Sequence, residues 1–212
     1  FEQAGASLTL FADAQTNRHL GGWEMPASWF QSINPLAIIV FAPLMSSFWS
    51  MLHNKNMEPS SPMKMAFGLA LVALGYVVIA YGVHGVDSQT KISMWWLVAL
   101  YLIHTIGELS LSPIGLSMVS KLAPLRFSSL LMGTWFLANA VANKFAGTLS
   151  ALIPPGAGET TAEAAAAIPT FIGIPINNLF TFFCVFIALS GIAALILFGM
   201  YKWLEKRMHG VK

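Results

Sequence analysis

The sequence predicts an all-α fold, a polytopic bundle of membrane helices, and three observations carry that prediction. Only 9% of the 212 residues are charged and 56% are hydrophobic, whereas an average soluble domain carries about 25% charged residues. Apolar stretches near the roughly 20 residues needed to cross a bilayer recur along the chain, with a mean hydropathy of +0.68. Lys and Arg are also distributed unevenly over the intervening segments, as they are in membrane proteins. The net charge of +2 is too small to imply nucleic acid. A lone cysteine, Cys184, has no internal partner and reads as a packing residue.

Six helices follow in order. The first, residues 1–14, is short and opens as though already inside a helix, so a downstream piece of a longer polypeptide is expected. The second covers residues 30–52, the third 63–83, the fourth 92–122, the fifth 127–153 and the sixth 170–204. The separators "HNKNMEPSSP", "HGVDSQTK", "APLR" and "PPGAGETTAEAAAA" carry turn chemistry. The last of these has room for a short helical turn.

If the C-terminus faces the cytoplasm, Lys55, Lys64, Lys121, Arg126, Lys202, Lys206, Arg207 and Lys212 share that side. Arg18 and Lys91 fall on the other with the acids Glu24, Asp87, Glu159 and Glu163, and Lys144 lies within a span. The tail "YKWLEKRMHG" then closes the last helix with an aromatic and basic belt at the cytoplasmic interface.

Ionisable residues inside spans are costly, and their default reading is functional. Glu2 and Asp13 are eleven residues apart, which in a continuous α-helix places them on one face with Thr9 between them. His104, Glu108 and Ser112 are spaced by four and share a face. His104 and Glu108 are then one turn apart, a spacing that suits proton exchange. A neutral ring satisfied by a backbone carbonyl or by Glu108 is the favoured alternative for His104. Pro113 cannot donate to the carbonyl of Leu109, so a bend is expected there, and the freed carbonyl must be buried in protein or line water. Trp135, Asn139 and Asn143 repeat the stripe on the fifth helix, and Asn34-Pro35 sets an amide beside a helix breaker on the second. Four polar stripes on four spans suggest one aqueous cavity. The sequence shows no metal-ligand cluster, catalytic triad or phosphate loop, so neither an enzyme nor a cofactor is expected.

The segments "FEQAGASLTLFAD", "QSINPLAIIVFAPL", "GELSLSPIGLSMVSKLAP" and "MGTWFLANAVANKFAG" resemble, in order, the C-terminal six helices of proton-coupled oligopeptide transporters, a branch of the major facilitator superfamily. The resemblance implies a twelve-helix transporter with alternating access, of which this chain is the C-terminal six-helix half. It implies symport of di- and tripeptides with protons across a bacterial inner membrane. The partners are then the N-terminal bundle and membrane lipids, and the proton is the coupling ion. By the same resemblance, Glu2 and Glu108 are proton-coupling carboxylates, Glu2 facing an arginine on helix one and Glu108 a lysine on helix four. Asp13 is an outer-gate acid meeting a basic residue of the other bundle. Asn34, Glu108, Ser112 and Trp135 contact peptide, with His104 and Asn139 as further candidates. A transporter of another small solute, such as nitrate or a drug, is the nearest alternative. A non-transporting scaffold or receptor is the rival from another class.

Overall fold

The computed structural model describes residues 2–86, 90–154 and 169–208. Asp87, Glu159, Glu163 and Lys212, and the turn expected in the separator after the fifth helix, lie outside the described residues. Among the described residues, six α-helices run in sequence: α1 (Ser7–Gln15), α2 (Ile33–Asn54), α3 (Ser61–Val83), α4 (Met94–Leu122), α5 (Ser128–Ser150) and α6 (Leu179–Arg207). Among the described residues, four helical segments are long and apolar enough to cross a membrane: Ala27–Asn54, Ser61–Val83, Met94–Leu122 and Leu179–Arg207. α5 has the length but not the hydropathy, because Thr134, Asn139, Asn143, Lys144 and Thr148 interrupt its apolar residues.

The first and last helices depart from the sequence expectation. Residues 1–14 do not form one α-helix: a 3-10 turn, Glu2–Gly5, precedes α1, and Ala6 between them has φ −122° and ψ −106°. That break removes the continuous 100° progression on which a shared face of Glu2, Thr9 and Asp13 depended. α6 begins at Leu179, nine residues later than expected. Thr170–Phe171 and Ile174–Pro175 pair instead as a short antiparallel hairpin. Its turn is made by Ile172 (φ 50°) and Gly173 (φ 78°), and a helix cannot pass through left-handed backbone. Asn178 then caps α6, its Oδ1 accepting from the Thr181 backbone N–H at 2.8 Å.

Helix α3 is the hub, packed against α4 on one side and α6 on the other, while α2 lies against α4. The core is aromatic. Phe183 of α6 meets Phe11 of α1 edge-on at 5.2 Å between centroids, and Tyr76 of α3 stacks on Phe186 at 5.1 Å. Leu97, Leu100 and Ile79 are fully buried in the same cluster. α3 and α4 cross where Gly68 and Gly107 meet: a Cβ added to either would lie within 2.8 Å of the other's carbonyl oxygen. Glycine is needed at both positions because the obstacle is backbone. Thr16–Asn17, just after α1, pairs in parallel with Ile92–Ser93, just before α4, so these two helices share an end. α5 is held most lightly, and Ala146 is its one buried residue.

Candidate functional site

Two positions picked from the sequence are brought together. The Asn34 side-chain amide donates to Glu108 Oε2 at 2.8 Å and, more weakly, to Thr105 Oγ1 at 3.4 Å. Asn34 is the second residue of α2 and Glu108 sits in the middle of α4, so the bond ties the start of one helix to the waist of another. Thr105 is fully buried, and its hydroxyl donates back to the Tyr101 carbonyl at 2.8 Å. This leaves an oxygen lone pair facing Asn34. Pro35, read as a helix breaker, is the third residue of α2. There its missing N–H is one that a helix leaves unbonded anyway. The interior proline of α2 is Pro43.

His104 turns away from Glu108. Its Nε2 lies 3.1 Å from the Val72 carbonyl of α3, which requires that nitrogen to carry the proton. Gly75 leaves the space for the ring, since a Cβ there would stand 2.6 Å from His104 Nε2. Tyr76 packs edge-on against the imidazole at 4.7 Å. The ring thus takes a carbonyl partner on α3, and Glu108 takes an amide partner on α2. Successive i, i+4 positions drift by about 40° around a helix, and that drift is enough to send His104 into α3 and Glu108 toward α2.

The 3-10 turn that carries Glu2 is anchored through Gln3, which the sequence reading passed over, and through Ala4 and Thr9. Gln3, buried, donates from Nε2 to the Ala146 carbonyl of α5 at 3.2 Å and accepts from Ser7 Oγ at 2.6 Å. The Ala4 carbonyl accepts from Thr9 Oγ1 at 2.7 Å and from Tyr101 Oη at 3.4 Å. Gln31, in the 3-10 segment before α2, donates to Thr9 Oγ1 at 2.9 Å. Glu2 itself is half-buried. Among the described residues it makes no hydrogen bond or ion pair. The adjacency of Glu and Gln in "FEQ" was the available signal for Gln3, an amide beside a deep carboxylate.

Asp13, 70% exposed at its side chain, pairs with Arg18 of the same chain at 2.8 Å. Arg18 also holds Glu24 at 2.9 Å and donates to the Met25 carbonyl at 2.7 Å. Asp13 thus has a basic partner without reaching another bundle. On α5, Trp135 is half-buried and faces α4 at Gly115, while Asn139 and Lys144 are exposed. Asn143 donates to the Asn139 carbonyl at 3.0 Å, a bond within one helix rather than between two. Ser112 is half-buried. Pro113, inside an otherwise unbroken α4, lines a cleft of about 250 Å³ with Glu58, Lys64, Ser117 and Lys121. At that end Glu58 pairs with Lys64 and with His53, the latter at 2.7 Å. The Lys64 ammonium lies 4.9 Å from the Trp49 ring centroid. The Lys64 hydrogen bond, more than His53, holds the Glu58 carboxyl below its ordinary value of 4.5, against the opposing effect of burial.

A family model described as PTR2, the POT family, matches residues 1–164. The peptide transporter YePEPT of Yersinia enterocolitica is 43% identical over 151 residues, which cover 70% of this chain and 30% of that one. The dipeptide and tripeptide permease B of Xenorhabdus bovienii is 30% identical over 211 residues, covering 98% of this chain and 41% of the relative. The chain thus spans well under half the length of these relatives. Among solved structures, a peptide transporter POT in complex with sulfate superposes with a TM-score of 0.77 at 31% identity, covering 97% of this chain and 37% of its own. A POT family transporter in complex with 5-aminolevulinic acid gives 0.73 at 31% identity, over 93% of this chain and 37% of its own.

Proposed function

The chain belongs to the POT family, and from that premise we propose that it is the C-terminal six-helix half of a transporter that carries di- and tripeptides inward with protons. The observation that carries the reading is the Asn34–Glu108 pair. A carboxylate in the middle of a membrane-length helix is held by one neutral amide at 2.8 Å and stays half-exposed. An ionised carboxylate has about four acceptor sites and one amide fills one of them, so the group is prepared for a cation. A peptide's terminal ammonium supplies that cation and three donors. Recognition by chain ends tolerates varied side chains, as a di- and tripeptide carrier requires. The relatives named as peptide transporters and permeases support this substrate class.

In this reading Glu2 is the proton carrier. It lies on a turn fixed to both α4 and α5, with no partner among the described residues, and the arginine of the other bundle completes it. Protonation of Glu2 removes one charge of that pair, and loss of the pair lets the two bundles rock. Pro113 gives α4 the place to bend, and Trp135 walls the pocket from α5. In the same reading the chain resides in the bacterial inner membrane with its C-terminus in the cytoplasm, an orientation that the eight-to-two bias of Lys and Arg supports.

The test uses the full-length transporter in proteoliposomes, native against Glu2→Gln, with labelled dialanine. An inward proton gradient should drive uptake in the native protein and not in the variant, while counterflow exchange without a gradient persists in both. Native protein that moves dialanine under neither condition overturns the substrate. A variant that still concentrates dialanine with the gradient overturns the role of Glu2.

A further inference from the structure

Gly115 lies seven residues beyond Glu108, two helical turns and about 10.5 Å along the axis, and on nearly the same face of α4. It is buried. A Cβ built there would run into the Trp135 ring, with Cζ2 and Cζ3 each 3.1 Å away and Cη2 closer still. The outer edge of the indole therefore occupies the notch where a side chain would be. Of the two walls, α4 is the fixed one. About two to three turns before Gly115, it is locked to α3 by the His104–Val72 bond and the Gly68–Gly107 crossing. α5 is the lightly held helix, and Trp135 is only half-buried on it, next to exposed Leu131 and Asn139. Any group added at Gly115 moves the ring, and the ring moves toward that open side.

We infer that Gly115 is a specificity-determining residue: it sets how deep the Trp135 ring sits, and so the width left for a substrate side chain on the Glu108 side of α4. The inference rests on the peptide-transport reading. A methyl group at Gly115 would push the indole outward, narrow that space and penalise bulky side chains more than small ones. Trp135 on its own is a large, rigid wall; the glycine opposite determines its position.

The experiment is uptake by the full-length transporter in proteoliposomes under an inward proton gradient, comparing dialanine with diphenylalanine. The quantity read is the ratio of the two KM values. Gly115→Ala should raise the ratio of diphenylalanine to dialanine roughly tenfold, the scale on which one methylene-sized group discriminates in an apolar pocket. Gly115→Ala combined with Trp135→Phe should bring it back, because Phe lacks the Cζ2, Cζ3 and Cη2 atoms that collide. Trp135→Phe alone should lower the ratio below the native value, which keeps the test sharp should Gly115→Ala fail to fold. A ratio that does not move in the single variants, or a rise that the double variant does not reverse, overturns the inference while dialanine uptake by the native protein leaves the transport reading standing. Native protein that moves neither peptide overturns both.

Discussion

Replacing Gly107 by alanine tests the crossing that holds Glu108 in place. The added Cβ would stand 2.8 Å from the Gly68 carbonyl oxygen, 3.3 Å from Leu71 Cβ and 3.4 Å from Val72 Cγ2. The two longer contacts yield by a few tenths of an ångström. The first does not, because a carbonyl inside a helix cannot turn aside without breaking its own bond, so α3 and α4 must separate. Overpacking of this kind costs about 1–3 kcal/mol, and the better helix propensity of alanine returns up to about 1 kcal/mol. With the full propensity gain the net expectation is a loss of up to about 2 kcal/mol. Gly199→Ala supplies the matched control. It lies in α6 with nothing within 4 Å of its added Cβ, so only the propensity gain applies and stability should hold or rise. Equilibrium unfolding of the full-length protein in mild detergent reads both. Because Gly107 is bonded to Glu108, the same variant should also raise the KM for dialanine, as the carboxylate is carried away from Asn34. If Gly107→Ala is as stable as Gly199→Ala with dialanine KM unchanged, the crossing is not set by backbone contact and Glu108 is not positioned by it.

Asn34→Ala removes the donor at 2.8 Å from Glu108. Hydrogen bonds to charged groups are worth about 1.5–3 kcal/mol, and half-exposure puts this one at the lower end, so dialanine KM should rise about tenfold, with Asn34→Gln recovering part of it. Uptake kinetics on the full-length transporter check this, and an unchanged KM for Asn34→Ala refutes a role for the amide. At the far end of α2, the lowered pKa of Glu58 gives stability that is present above the unfolded value and lost as pH falls through the folded one. Thermal stability of the native protein should therefore decline below about pH 4.5. Glu58→Gln should lose that share of the decline and be less stable at neutral pH, since it leaves the buried Lys64 ammonium without its carboxylate. Parallel pH profiles for the two proteins rule the pairing out.

Much of the architecture is written in hydropathy, and the exceptions have a common cause. The stretch read as a third span, 63–83, is α3 from Ser61 to Val83, and 92–122 is α4 from Met94 to Leu122. Hydropathy reports which side chains lipid or protein will accept. It is blind to a backbone that leaves the helical region. Hence the break at Ala6 and the hairpin at Ile172–Gly173 were both covered by apolar residues and both read as helix. The site divides along a similar line. Which residues are expensive to bury is legible one residue at a time, and that reasoning selected Glu108, His104 and Asn34. Which of them meet is a matter of helix rotation. The Asn34–Glu108 bond joins residues 74 apart in sequence, and the direction of His104 depends on the space that Gly75 leaves on another helix. Thr105 was missed because it becomes informative only once its partner Asn34 is known, whereas Gln3 had a signal in its place beside Glu2.

The distribution of ion pairs bears on the proposed mechanism beside the Asn34–Glu108 bond. Among the described residues, the paired acids sit at the ends of the helices: Asp13 and Glu24 on Arg18, and Glu58 on Lys64 and His53. Glu108, in the middle of membrane-length α4, has no ion pair among the described residues, and neither do Glu2, on the turn before α1, and Glu205, near the end of α6. This is the reverse of what stability alone would favour, since an acid near a helix end can be hydrated whereas one at mid-span needs a partner most. Under the proposed function, Glu2 and Glu108, which have no cation partner among the described residues, are answered from outside the chain. A substrate ammonium and a residue of the other bundle are suited to answer them because both can leave. A permanent internal lysine would satisfy Glu108 more completely, and for that reason would end the cycle that the proposed transport depends on.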